Sequence, residues 1–417
     1  MSPQPIRIAI SGGGLAGASL MQALLKFPHL DVHIFESAPA FKEQGMAIGL
    51  ARNALAALEL MGPAATGALE RAGAVPMKGV RFMLAQGEGE GRGSLIDEAD
   101  GAAQGKRITS IVHRAALLQE LLAGVPAERM HASKKLDRAE RSDDGSGPLV
   151  LRFADGSTHE CDVLVGADGI HSAVRRMVLG DADAAASPRN TGTWAVMTLQ
   201  PYARARDSLG RGTVDLEDAR EYSWVGDGSF VLHNLLSGGQ LVQFVAASHD
   251  EAAVASERWT RSVAAEELRR LYTDWPPHLS QAVNELLCDK SEQPAMYMWD
   301  HPPARTYVSG PICVMGDAAH ATTPCNVLSE LLGRAKTPAE AQIALKVYDQ
   351  VRRPRTQRIV ESSRGTGLIM SGRGEETGLD LSKLREKLLP RWDHIIDYDN
   401  EKHLKEAIEM MEGELKG

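Results

Sequence analysis

Residues 6–36 constrain this chain more than any other stretch. Ile6-Arg7-Ile8-Ala9-Ile10 is a short apolar run that meets Ser11-Gly12-Gly13-Gly14-Leu15-Ala16-Gly17 and continues as a helical pattern through Leu25. The glycines fall as Gly12-x-Gly14-x-x-Gly17. At that spacing the first permits a tight turn, the second lets a pyrophosphate approach the backbone, and the third lets helix and strand pack closely. The helix start then offers free N–H groups and a positive dipole end. A second apolar run, Asp31-Val32-His33-Ile34-Phe35, ends at Glu36, 19 residues past Gly17, where an acid accepts hydrogen bonds from a ribose hydroxyl. An acid there argues against a 2′-phosphate and suits the adenosine end of FAD or NAD equally.

The rest of the chain narrows the class of ligand. The net charge of −9 gives no electrostatic case for nucleic acid, so a small molecule is expected. Cys161, Cys288, Cys313 and Cys325 show no metal spacing and are too few for a disulfide scaffold, so no metal is expected and the thiols suit a reducing compartment. No signal peptide opens the sequence and no apolar run reaches the roughly 18 residues of a membrane span, which predicts a soluble, cytoplasmic protein, monomer or homodimer. Gln86–Gly105 reads as loop and Arg141–Pro148 as a turn between strands. Between Thr193 and Ala247 short β-type runs broken by GDG and SGG predict antiparallel hairpins. A long helix is predicted from Pro338 to Arg364, capped by Thr337 and kinked or broken at Pro354. The charged tail predicts an amphipathic surface helix.

Two further strand–turn–helix corners follow. One is Asp162-Val-Leu-Val-Gly166-Ala-Asp168-Gly169-Ile-His-Ser172-Ala-Val-Arg175, where Asp168 is placed to cap helix N–H groups and Gly169 to relieve crowding. The other is Ile312-Cys-Val-Met-Gly316-Asp317-Ala-Ala-His320-Ala-Thr-Thr-Pro324. Taken in order, the three motifs resemble the class A FAD-dependent aromatic monooxygenases of the p-hydroxybenzoate hydroxylase fold, in their salicylate hydroxylase-like, fungal-type branch. The resemblance covers about residues 5–365 and implies an α/β (α+β) fold. A Rossmann-like FAD-binding domain (1–75, 105–180 and 295–365) would be interrupted by an antiparallel-sheet substrate domain (76–104 and 181–294), with a C-terminal helical tail (366–417). It further implies that Glu36 contacts the adenosine ribose and that Gly49 lies in a loop beside the FAD. Arg114 would contact the phosphate–ribityl region, and Asp317 the ribityl–pyrophosphate region. Asp168 and Gly169 would belong to the motif associated with both FAD and NAD(P)H.

The resemblance also implies a reaction. NADH or NADPH reduces FAD, and the reduced flavin uses molecular oxygen to hydroxylate a phenolic or salicylate-like ring, while the protein excludes water and orients the substrate. An oxidase or epoxidase on the same fold is the alternative within enzymes. His233 and Tyr222, with Arg204 or Arg206, are candidates for activating the phenol on the antiparallel sheet. His233 reads equally as a base and as a hydrogen-bonded core residue, and Tyr222 and Trp224 read also as packing. His320 and Asp300 read as structural.

One departure from the family stands out. Pro324 is followed at once by Cys325-Asn326-Val327-Leu328-Ser329-Glu330-Leu331-Leu332-Gly333, which resembles the middle of the family's next helix. About a dozen residues of a Gly-rich loop are missing, whose free N–H groups and helix dipole would sit against the reduced flavin. A loop merely omitted from the sequence leaves the hydroxylase reading intact, whereas a true deletion predicts weak FAD binding, uncoupled hydroxylation, or a catalytically impaired FAD-fold protein.

Overall fold

The computed structural model describes residues 4–42, 47–87, 91–101, 108–141, 147–210, 214–320 and 326–416. The missing stretch inferred at Pro324–Cys325 and most of the turn at Arg141–Pro148 lie outside the described residues.

The opening strand, Ile6–Ser11, is buried on both faces because it is the centre of a six-stranded sheet. Leu30–Phe35 pairs with it in parallel on one side and Val163–Gly166 on the other. Ile312–Val314 extends the sheet in parallel beside Val163–Gly166, so the three motif-bearing segments run the same way and end at the same edge. The short strands Val308–Ser309 and Met130–His131 close its two sides. Helix Leu15–Leu24 covers the sheet through Ala18, Leu20, Met21 and Leu24.

A second sheet has eight strands. Its order is Thr260–Ala264, Glu292–Asp300, Arg189–Pro201, Leu241–His249, Ser229–Leu236, Arg220–Val225, Gly79–Leu84, Leu95–Asp100. The hairpins predicted within Thr193–Ala247 are present, and Arg220–Val225 pairs in parallel with Gly79–Leu84. The sequence boundary at 295 falls inside the strand Glu292–Asp300. Leu95–Asp100 corrects the reading of Gln86–Gly105 as loop. Its acids hide the strand signal, but Ile96 is buried and Arg220 pairs with Glu98 and Asp100. From the C-terminal helix Leu381–Lys387, Arg385 donates to the carbonyls of Leu95 and Ile96 along the outer side of this strand. A small sheet of Ala47–Ala51, Thr109–His113 and Val75–Met77 stands between the two large ones in sequence and comes against strand Ser229–Leu236.

The long helix runs from Pro338 to Met370 with Thr337 as its cap, unbroken by Pro354. Proline removes one intrahelical donor, and the carbonyl it orphans belongs to Gln350, an exposed residue that water can serve. Helix Asn400–Lys416 buries Asn400, His403, Ala407 and Met411, the amphipathic stripe predicted for the tail.

Beneath Glu36 lies a cluster of three histidines. His33 Nδ1 and His131 Nε2 are 2.9 Å apart, and His159 packs on both rings and on Phe35. Burial first, then repulsion from His33 and His131, holds His159 down to about 4, and burial lowers His131 as well. The unfolded chain takes up these protons near the ordinary value of about 6.5, so below that pH the unfolded state binds more protons and stability falls. The melting temperature should therefore hold steady above pH 7 and drop as pH falls from 6.5 towards 4. A His159→Phe variant should drop less steeply in the same calorimetric series.

Candidate cofactor and substrate site

The glycine corner is a close meeting of backbones. Gly12 has φ +111°, and a Cβ there would lie 2.2 Å from the Ala167 carbonyl oxygen. At Gly17 a Cβ would lie 2.0 Å from the Gly12 oxygen. Gly14 is the cap of helix Leu15–Leu24 and supplies no side chain to its N–H groups, leaving them for a ligand. Gly13, which the spacing rule passed over, also contributes. Its N–H donates to Glu36 Oε2 at 2.8 Å, and a Cβ would strike the Phe41 ring. Glu36 Oε1 accepts from the Ala38 N–H at 2.7 Å and the Ser37 hydroxyl at 3.1 Å. A carboxylate has about four acceptor positions, so a pinned Glu36 can still take a ribose hydroxyl. Gly12, Gly14, Glu36, Lys134, Asp168 and Gly169 line one recess of about 350 Å³.

The second corner is built by Asp168. It accepts from the Ser172 hydroxyl and the Ala173 and Val174 N–H groups, fixing the start of helix Ala173–Leu179. Burial raises its carboxyl while these bonds oppose the rise. Gly169 has φ +75°. Asp317 is exposed on the turn Gly316–Ala318, and a Cβ on Gly316 would lie 2.7 Å from the Ala16 Cβ, so the third corner touches the first helix.

Arg175 joins the second corner to the third. It is fully buried and donates to the carbonyls of Ala185, Pro302, Ala318 and Ala319. Its motif position was visible, but its four acceptors lie on three separate segments and no spacing announces them.

Gly49 is exposed on strand Ala47–Ala51, opposite Ile111. Its neighbours Ile48 and Leu50 line a small apolar cavity of about 70 Å³ together with Ala16, Gly316 and His320. Arg114 opens helix Arg114–Leu122 and is half-buried. His320 is buried beside Tyr307, and Asp300 pairs with Arg189 and Arg364.

The eight-stranded sheet has one sealed face and one open face. On the sealed face, under helix Pro277–Leu286, stand His233 and Tyr222. His233 is wholly buried, its Nε2 accepts from the Trp224 indole, and it stacks on Tyr222. Burial pushes it down to about 3. The Tyr222 hydroxyl accepts from Arg81. Neither reaches the open face, because strand alternation sends both towards the helices. This corrects their reading as phenol-activating residues. Arg204 and Arg206 are on helix Tyr202–Leu209 rather than on the sheet, with Arg204 donating to the Glu285 carbonyl. The open face carries Met197, Leu232, Val245, Met296 and Met298, of which the three methionines are exposed. Its far end packs against the end of the long helix through Val225 and Ile369.

Among the described residues no cluster of metal-ligating side chains occurs, and no helix is long and apolar enough to cross a membrane. A family described as FAD binding domain matches residues 6–328. The chain is 34% identical to a 6-methylsalicylate 1-monooxygenase of Aspergillus terreus over 424 positions, covering 97% of this chain and 92% of that protein. It is 32% identical to an FAD-dependent monooxygenase of Aspergillus niger over 450 positions, covering 100% and 99%. That alignment is longer than the 417 residues of this chain, so the relative carries residues that this chain lacks. A solved salicylate hydroxylase in a substrate complex superposes with TM-score 0.81 at 25% identity, covering 97% of this chain and 98% of that one.

Two substitutions test the architecture. Gly17→Ala forces a methyl group into the Gly12 carbonyl, and the protein should lose bound FAD, read as visible absorbance per mole of protein. Arg175→Met leaves four buried carbonyls without their donor and should cost about 2–4 kcal/mol in a denaturant titration. Arg175→Lys should recover only part of that loss.

Proposed function

Because the chain belongs to the salicylate hydroxylase-like, class A FAD-dependent monooxygenases, we propose that it hydroxylates a phenolic or salicylate-like aromatic ring, with NADH or NADPH as reductant and molecular oxygen as co-substrate. The observation that carries this reading is the convergence of three corners at one edge of a parallel sheet, beside an open apolar sheet face. The residues present fit the adenosine and pyrophosphate end of FAD. The glycine loop leaves no room for Cβ atoms, the helix start is uncapped, and Glu36 is held at the rim of the recess.

In this reading Glu36 holds the ribose, the N–H groups after Gly12 and Gly14 hold the phosphates, and Arg114 and Asp317 flank the ribityl chain. Gly49 leaves space beside the ring system, and Asp168 and Gly169 form the outer rim. When bound and reduced, FAD supplies the oxygen-activating chemistry. The chain's own part is to seat the ring on the open face of the eight-stranded sheet and to keep water away from it. The protein would act in the cytoplasm as a monomer or homodimer.

A second reading rests on the Gly-rich loop missing after Pro324, in a chain that lacks residues the Aspergillus niger protein carries. In it the adenosine end binds and the ring end is held poorly, so NAD(P)H is consumed with little hydroxylation.

Purified protein should be yellow, and its NAD(P)H oxidation should rise with a phenolic substrate, with a hydroxylated product seen by mass spectrometry. Product matching NAD(P)H consumed supports the hydroxylase. Oxidation without product supports the second reading, and a protein that stays colourless after added FAD sinks both. Asp317→Ala should weaken FAD binding by about tenfold or more, the loss of a charge-assisted hydrogen bond.

A further inference from the structure

The open face of the eight-stranded sheet is apolar at its centre, around Met197, Leu232 and Val245, and carries a polar row at one end. Gln243 stands opposite Leu199 on one side and Asn234 on the other. Tyr222 pairs with His233, so Glu221 stands one step along, across from Asn234, and pairs with Val80 beyond. The row therefore runs Gln243, Asn234, Glu221 across three adjacent strands, and cross-strand neighbours of this kind lie about 5 Å apart at Cβ. By alternation these side chains share the face of Met197, Leu232 and Val245, opposite to His233 and Tyr222.

Two members of the row are short of partners, whereas the Asn234 amide donates to the Leu235 carbonyl. Gln243 is 8% exposed, and its Oε1 is buried without a hydrogen bond among the described residues. Glu221 has no hydrogen bond or ion pair there. It is enclosed by protein yet keeps some accessible surface. Burial pushes its carboxyl up to about 7, as expected of a carboxylate with little water and no counter-ion. No lysine or arginine occurs in Thr193–Leu199, Phe230–Leu236, Leu241–Ala247 or Glu221–Val225. Arg81 and Arg220 project from the other face, into the network of Glu98 and Asp218.

Resting on the hydroxylase reading, we propose that Glu221, Asn234 and Gln243 form a hydrogen-bonding row that selects a neutral phenol over a benzoate. A phenolic O–H donates to the Glu221 carboxylate or to Gln243 Oε1, which meets the orphaned acceptors. A ring carboxylate would be placed beside Glu221 with no cation on the strands of the row to offset the repulsion, since Arg364 and Arg373, which line the other end of this face, are paired with Asp300 and Glu251. Substrates are thus hydroxylated rings without an acid group, although two of the three similar proteins described above are named for salicylates.

The test uses the FAD-loaded protein with orcinol as the neutral phenol and salicylate as the acid. Dissociation constants come from calorimetry, and products from mass spectrometry. Orcinol should bind about tenfold or more tightly than salicylate. Glu221→Gln should raise the orcinol constant about tenfold with an unchanged flavin spectrum and melting temperature, and Glu221→Asp should restore part of the affinity. Gln243→Arg should gain salicylate binding by supplying the missing cation. Tighter salicylate binding by the unaltered protein, or an orcinol constant unmoved in Glu221→Gln, overturns the proposal. So does a protein that binds neither ligand. Orcinol bound as expected but never hydroxylated defeats the hydroxylase reading and leaves the row standing. Salicylate hydroxylated in preference defeats the row and leaves the hydroxylase reading standing.

Discussion

Everything in the nucleotide-binding half depends on three stretches of backbone meeting with no side chain larger than the Ala16 methyl between them. The Gly12 position abuts the Ala167 carbonyl, Gly17 abuts Gly12, and Gly316 abuts Ala16. Backbone N–H groups can face a ligand's phosphates because the glycines themselves put no side chain in the way. The parallel strands behind them fix where those N–H groups lie, and Arg175 locks the later two corners together by donating to carbonyls on three segments. A guanidinium can do this because its donors fan out in a fixed plane, which a flexible ammonium cannot reproduce.

The substrate half solves a different problem. A sheet whose one face must be solid and whose other must accept a planar ring packs Trp224, Tyr222 and His233 on the side opposite to its open methionines. Trp224, Tyr222 and His233 stack under helix Pro277–Leu286. Methionine on the open side is an adaptable lining, since its unbranched side chain reshapes around different rings.

Much of this was legible in the residue order. The glycine spacing, the acid at Glu36 and the two later corners are local signals, each contained within a dozen or so residues, and they led to the right fold and family. What sequence could not supply was facing. His233 is chemically the most tempting side chain on its strand, yet a shift of one position decides whether a group meets the ligand or the core. Glu221 carried no motif and was passed over beside Tyr222, its neighbour on the opposite face. Gly13 was hidden by the rule that names its neighbours, although three consecutive glycines were its signal. The strand Leu95–Asp100 was obscured because its acids answer Arg220, a residue more than a hundred positions away.

That same strand has a consequence for how the protein behaves among its own copies. It is the last strand of the large sheet, and an outermost strand invites pairing by a foreign chain. Asp97, Glu98 and Asp100 make it negatively charged, and Arg385 reaches over from the tail to occupy the carbonyls of Leu95 and Ile96. The C-terminal segment thus serves as a guard on an adhesive border. Losing the segment from Leu381 onward would uncover that border and, because Leu384, Leu388, Ala407 and Met411 are buried in the cores beneath it, would loosen both halves at the same time.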